Sequence, residues 1–84
     1  MRKGEIRLIL ESMIWDARNR REDYRILFRD RGMPNDISEV RGDEIEVKSD
    51  RIVLRDGREI PQHRIVAIWR GDELLYSRGG SSNF

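Results

Sequence analysis

The stretch from Tyr24 to Arg31, YRILFRDR, carries the side chains of this sequence best suited to gripping an anion. Arg25, Arg29 and Arg31 share one side of an alternating run. In a strand, positions i and i+2 lie about 6.5–7 Å apart on one face, close to the separation of successive phosphates along a nucleic-acid strand. A guanidinium presents a planar fork of donors that meets phosphate or carboxylate two bonds at a time, which an ammonium cannot do. The chain favours that fork: its 17 basic residues are 15 Arg and 2 Lys, Lys3 and Lys48. Arg18, Arg20 and Arg21 could extend the row. The same arginines would equally suit a solvated face, paired with Glu22, Asp23, Glu44 or Glu46.

Two more groups could join them. Asp30 continues the inward series of Tyr24, Ile26 and Phe28, where a bare carboxylate is costly unless hydrogen-bonded or paired. It either caps the Arg31-Gly32 turn or orients a basic side chain, His63 and Arg64 being the candidates. An aspartate on one imidazole nitrogen leaves the other free to donate to a ligand. His63 is the sole histidine, and it follows Pro61, whose fixed φ holds the chain at the start of an apolar run. Successive strand residues face opposite sides, so His63 and Arg64 point together only if the strand bulges or begins later. Taken alone, His63 reads as a spacer or hinge residue.

Other chemistries find little support. A nucleophilic triad needs Ser or Cys beside a His base and an orienting group; Cys is absent, and no serine sits in a nucleophile elbow. The glycines match neither the Walker A nor the dinucleotide pattern. With no Cys and one His, neither disulfides nor a thiolate metal site can form, and a zinc site would need mostly carboxylates. Neither a metal nor another cofactor is expected. A small phosphodiesterase using His63 as general acid lacks a second catalytic base at a recognisable spacing.

These residues must be positioned by short elements. Ile6, Ile9, Leu10 and Met13 recur at helical spacing, which predicts one helix of about three turns over residues 4–14. Trp15-Asp16 ends it, with Asp16 as an Asx-turn or cap residue. From Tyr24 the period changes to two. RGMPND, residues 31–36, is a loop; a weaker strand follows at 37–40, and 41–43 turn the chain. Strands are expected around Ile45 and Val47, over 51–55 and over 63–70, with Asp56-Gly57 as a hairpin signal. The strand from His63 has apolar residues on both sides, which places it centrally with both faces covered. Gly71-Asp72 leads to a last strand over 73–77. The sum is an α+β fold: one N-terminal helix packed on a curled antiparallel sheet, or small partly open barrel, of five to six short strands. Trp15 and Trp69 sit beside apolar residues, which points to core packing, although either could stack bases if exposed.

The chain has 84 residues, 39% of them charged, yet its net charge is only +1. That length makes one domain, residues 1–78, with RGGSSN-type composition marking 79–84 as a flexible tail. No run approaches the roughly 18 apolar residues of a membrane span. Glu5, Arg7 and Glu11 interrupt the apolar face of the N-terminal segment, so it reads as a retained helix rather than a secretory signal. A cytoplasmic location without membrane contact is expected.

The order of features resembles a known family. A short helix ending in Trp15-Asp16, then Tyr24…Asp30-Arg31-Gly32, Arg41-Gly42-Asp43-Glu44-Ile45, Asp56-Gly57, and Ile60-Pro61…His63-Arg64-Ile65 before a final hairpin form its series. The sequence from about Ile6 to Arg78 is similar to the largely archaeal domain of unknown function 504, also named the RNA cyclic group end recognition domain. That resemblance implies recognition of RNA termini bearing a 2′,3′-cyclic phosphate, in a domain also found fused to RNA-end-processing enzymes. It implies a binding surface made by Asp30-Arg31-Gly32 and His63-Arg64, with Trp15-Asp16 helping to shape it. Two positions depart from the family pattern: Ala17 stands where Pro often follows the Trp-Asp pair, and Gln62 where an aromatic often precedes the His.

The expected function is thus a non-catalytic RNA-binding module for phosphate-bearing ends. Arg31, His63 and Arg64 would make the phosphate contacts, Asp30 would orient them, and Arg25 and Arg29 would track the backbone. RNA is the expected partner, with an RNA-processing enzyme as a further one. The alternative is a protein-interaction or assembly module whose charged face docks on such an enzyme. Arginines mostly paired with acids across strands would favour the alternative.

Overall fold

In the computed structural model, which describes residues 4–78, one helix and seven strands enclose a single core. Helix α1 spans Glu5–Trp15. Ile6, Leu10 and Met13 are buried along one side, the i, i+4, i+7 spacing that puts apolar side chains on a single stripe. The Asp16 N–H still donates to the Ser12 carbonyl at 3.1 Å, but Asp16 itself is extended. Its carboxylate accepts from the Arg18 N–H at 3.0 Å, the Asx turn expected there.

Strands β1 (Tyr24–Arg29), β2 (Ile37–Arg41), β6 (Ile65–Arg70) and β7 (Glu73–Ser77) form an antiparallel sheet in the order β2-β1-β6-β7. A second antiparallel sheet contains β3 (Ile45–Val47), β4 (Arg51–Leu54) and β5 (Glu59–Pro61). The α+β class and the N-terminal helix hold. The described residues form two sheets and no closed barrel, and β5 brings the strands to seven. Asp56-Gly57 makes the expected hairpin turn: Gly57 has φ +94° and its N–H donates to the Leu54 carbonyl at 2.9 Å.

Tyr24, Ile26 and Phe28 of β1 and Ile65 and Ile68 of β6 point into the core, where they meet the helix stripe and Ile45, Ile52, Leu54 and Ile60 of the second sheet. Strand β6 is central, as its apolar run requires, but only one of its faces is buried. A bulge at Val66 explains the spacing, since the register against β1 passes from Ala67 to Ile65 between Leu27 and Phe28. Ile65 and Ile68 thereby both reach the core although three residues apart. Leu27, Ala67 and Trp69 belong neither to the core nor to the side chains packed on it.

Two local facts set up the site. Strand β6 starts at Ile65, because Gln62–Arg64 form a 3₁₀ turn after Pro61. That turn is tied down by the Gln62 N–H to the Asp50 carbonyl at 3.1 Å and by Gln62 Nε2 to the Ser49 carbonyl at 3.2 Å. Across β1, the loop from Asp30 to Asp36 folds back so that the Asp30 N–H meets the Asp36 carbonyl at 2.7 Å. Gly32, Asn35 and Asp36 take positive φ of 91°, 59° and 57° to do so. Two successive non-glycine residues in that region are uncommon and strained.

Candidate nucleic-acid interface

The β1–β2 loop and the 3₁₀ turn before β6 face each other across a cleft of about 520 Å³, lined by Arg29, Asp30, Arg31, Asp36, His63, Arg64 and Arg78. The turn answers how neighbours His63 and Arg64 can share one cavity. In a strand they would diverge, whereas in a turn that precedes the strand they converge. Arg31 likewise lies beyond the end of β1, in the loop, rather than on the strand face.

The electrostatics are uneven. Arg29, Arg31 and Arg64 are exposed and hold no acid in an ion pair among the described residues. Elsewhere pairing is common: Arg7 with Glu11 at 2.9 Å, Arg41 with Asp43 at 3.0 Å, Arg70 with Glu73 at 2.6 Å. Arg78, just past the end of β7, donates from its guanidinium to the His63 carbonyl and braces the turn. Four guanidiniums thus meet two carboxylates around the cleft.

Asp30 does not orient His63 or Arg64. Its carboxylate accepts from Ser38 Oγ at 2.7 Å and from Arg58 Nη1 at 3.4 Å, with its side chain 20% exposed. Its carbonyl accepts from the Met33 N–H at 3.2 Å, so it also closes the Arg31-Gly32 turn. Arg58 is in turn held charged more firmly than usual, first by Asp56 and then by Asp30. The Arg58 N–H and guanidinium keep the Asp56 carboxyl below its ordinary range.

The remaining expected site residues lie elsewhere. Arg25 stands on the outer sheet face, its guanidinium 5.5 Å from the centre of the Trp69 ring and 3.2 Å from the Gly71 carbonyl. Trp15 is 81% exposed at the end of α1, so it is not a core residue. Its position as the last helical residue carries it past the buried stripe. Asp16 holds Arg18 at 3.2 Å and feels Arg70, the last residue of β6, and both arginines lower its carboxyl pKa, the Arg18 hydrogen bond most. Trp15-Asp16 therefore sits at the opposite end of β6 from His63-Arg64. Ser38, Arg58, Arg78 and Asp36 escaped sequence reasoning. Only Asp36 left a trace there, as the last residue of the RGMPND loop.

The site is an arginine-lined cleft on a small α+β scaffold. The chain belongs to the MJ1316 RNA cyclic group end recognition domain family, whose model matches residues 1–78. It is 33% identical to a UPF0248 protein of Thermococcus sibiricus over 95% of this chain and 92% of that one. A UPF0248 protein of Methanopyrus kandleri is 35% identical over 80% of this chain and 90% of its own, and one of Pyrococcus furiosus 31% identical over 86% and 84%. No solved structure matches the chain.

Proposed function

We propose that this protein is a non-catalytic RNA-binding module that seats a phosphate-bearing RNA end, a 2′,3′-cyclic phosphate by preference, in the cleft between the Asp30–Asp36 loop and the Gln62–Arg64 turn. The observation that carries this reading is the convergence of Arg29, Arg31 and Arg64, none ion-paired among the described residues, with the exposed His63 on one cavity. The family description supports the same partner. A cyclic phosphate bears one negative charge and leaves no free 2′- or 3′-hydroxyl. Its recognition therefore depends on oriented donors rather than on charge density, and forked guanidiniums beside a ring N–H supply them. Asp36 and Asp30 temper the cleft, which penalises a terminal dianion more than a monoanion. Asp30 is engaged by Ser38 and Arg58 and the sequence holds no second imidazole, so beside His63 only Asp36 is left in the cleft as a second proton-transfer group.

The test is an NMR titration with matched oligoribonucleotides ending in cyclic phosphate, 3′-phosphate or hydroxyl. Expected are shifts at residues 29–32, 36 and 63–64, largest for the cyclic end, and abolished in Arg31→Ala/Arg64→Ala. Equal response to all three ends removes the end preference, and retained binding in the double variant overturns the site. Loss of the cyclic phosphate during the titration would establish turnover instead.

An assembly role has one observation of its own. Leu8, 67% exposed, and Trp15, 81% exposed, lie seven residues apart on one side of α1, with Glu11 and Ser12 between them, and nothing covers either among the described residues. If these two side chains dock on a processing enzyme, Trp15→Ala breaks the pairing and leaves RNA binding intact.

A further inference from the structure

The outer face of the four-stranded sheet is built in rows that lead away from the cleft. Register places Ile37 beside Arg29 in the first row, next to the cavity. The second row is Glu39, Leu27, Ala67 and Ser77; the third is Arg41, Arg25, Trp69 and Leu74. Leu27, Ala67 and Trp69 are half-buried and Leu74 is 46% exposed, yet none belongs to the core or its packing shell. No described element lies over them. Arginines 25, 29 and 41 border the patch; Arg25 lies 4.0 Å from Glu39, the one acid in these rows, Arg41 is paired with Asp43 at 3.0 Å, and Arg29 holds no acid among the described residues.

We infer that this face is a base-stacking platform for the single-stranded RNA immediately preceding the bound end, with the Arg25–Trp69 pair as its stacking surface. The inference rests on the cleft reading above. Bases of single-stranded RNA stack on aromatic rings and on guanidinium planes alike. Here the guanidinium already lies over the ring at 5.5 Å, fixed by the Gly71 carbonyl at 3.2 Å. A base placed on it extends an existing pile instead of assembling one. The small Ala67 and Ser77 of the middle row keep the path between cleft and ring shallow. Rows two residues apart are about 6.6 Å apart, so Trp69 lies about 13 Å from Arg29. A strand advancing about 3.4 Å per nucleotide when stacked, and more when extended, covers that with roughly two to four nucleotides. Basic edges, a narrow apolar strip and continuity with the phosphate cleft favour RNA over a protein surface here.

The test uses the Trp15→Phe chain, which leaves Trp69 as the single tryptophan, and ribonucleotides of one, two, four and eight residues that all end in 2′,3′-cyclic phosphate. Affinity should rise from one to four residues and then level off, with Trp69 fluorescence quenched only by the longer ligands. Trp69→Ala, read by anisotropy of labelled RNA, should lose roughly 5- to 150-fold on the four-residue ligand and nothing on the mononucleotide. Trp69→Phe should keep most of the gain. Leu74→Glu, at an exposed position, should weaken only the longer ligands, and it decides the matter if Trp69→Ala does not fold. Affinity independent of length, with quenching absent, overturns the platform while the cleft stands. Mononucleotide binding unaffected by Arg31→Ala would instead remove the cleft reading. Self-association of the wild type that Leu74→Glu abolishes, without length dependence, would give the face to a protein contact and overturn the inference.

Discussion

Asp36 is the residue whose chemistry and backbone pull hardest against each other. Its φ of 57° is strained for a side chain with a Cβ, and its carboxylate lines a cavity rich in arginine. A charge held there at some conformational cost has a use if it discriminates between ligands. Asp36→Asn keeps the shape and removes the charge. The variant should bind every phosphate end more tightly, and the gain should be larger for a 3′-phosphate dianion than for a cyclic monoanion. Paired dissociation constants for the two ends measure that ratio, and an unchanged ratio removes the proposed role. Asp56 works differently, on stability. Its folded carboxyl lies below the usual carboxylate range because the Arg58 N–H and guanidinium hold its charged form. A depressed carboxyl stabilises the fold above the unfolded value near 3.9 and loses that contribution as pH falls through the folded one. Between pH 5 and pH 2.5, Asp56→Asn should therefore lose less of its urea midpoint than the parent.

At the scale of elements, the weak point is where the helix, the first sheet and the second sheet meet. Gly42 is buried, and a Cβ there would stand 2.5 Å from the Arg21 carbonyl oxygen, 2.5 Å from Met13 Sδ and 3.0 Å from Tyr24 Cβ. Met13 could swing aside, but the Arg21 carbonyl is backbone and is pinned because Arg21 also donates to the carbonyls of Gly42 at 3.2 Å and Ile45 at 2.7 Å. Gly42→Ala should thus cost about 1–3 kcal/mol, the usual penalty of overpacking, seen as a lower denaturant midpoint with an unchanged slope. The elements themselves were largely legible. The helical stripe of Ile6, Leu10 and Met13, the alternation from Tyr24 and the Asp56-Gly57 turn are short-range signals, and all three formed. The start of β6 was not legible, because His63 and Arg64 lead into an apolar run without a break, and the turn that lifts them depends on Asp50 and Ser49 in the loop between β3 and β4. For the same reason Arg58 and Ser38 were invisible as partners of Asp30, being 28 and 8 residues away in sequence. Trp15 misled through its neighbours: Ile14 and Met13 are apolar, but only Met13 lies on the buried stripe.

For the whole molecule, a net charge of +1 gives little net long-range attraction for RNA, so local charge must supply the affinity. Eight of the arginines among the described residues lie within 4.0 Å of an acid, and such exposed pairs add little stability, at most about 1 kcal/mol each. Their more useful effect is to leave the positive field concentrated around Arg29, Arg31 and Arg64, which hold no acid in an ion pair among the described residues although Asp30 and Asp36 line the same cleft. A separate hollow beside the second sheet is lined by Asp43, Glu44 and Glu46 together with Arg55. Such a molecule should bind RNA through few phosphates and in one orientation. Each phosphate neutralised on a single strand contributes about 0.7 to the log–log salt slope, so three cleft arginines predict a slope of about −2. Arg64→Ala should flatten it by about 0.7, whereas Arg7→Ala, remote and paired with Glu11, should leave it unchanged. A slope steeper than about −4 between 50 and 300 mM salt would mean that paired arginines across the surface also engage RNA. The cleft would then be one contact among many rather than the seat of recognition.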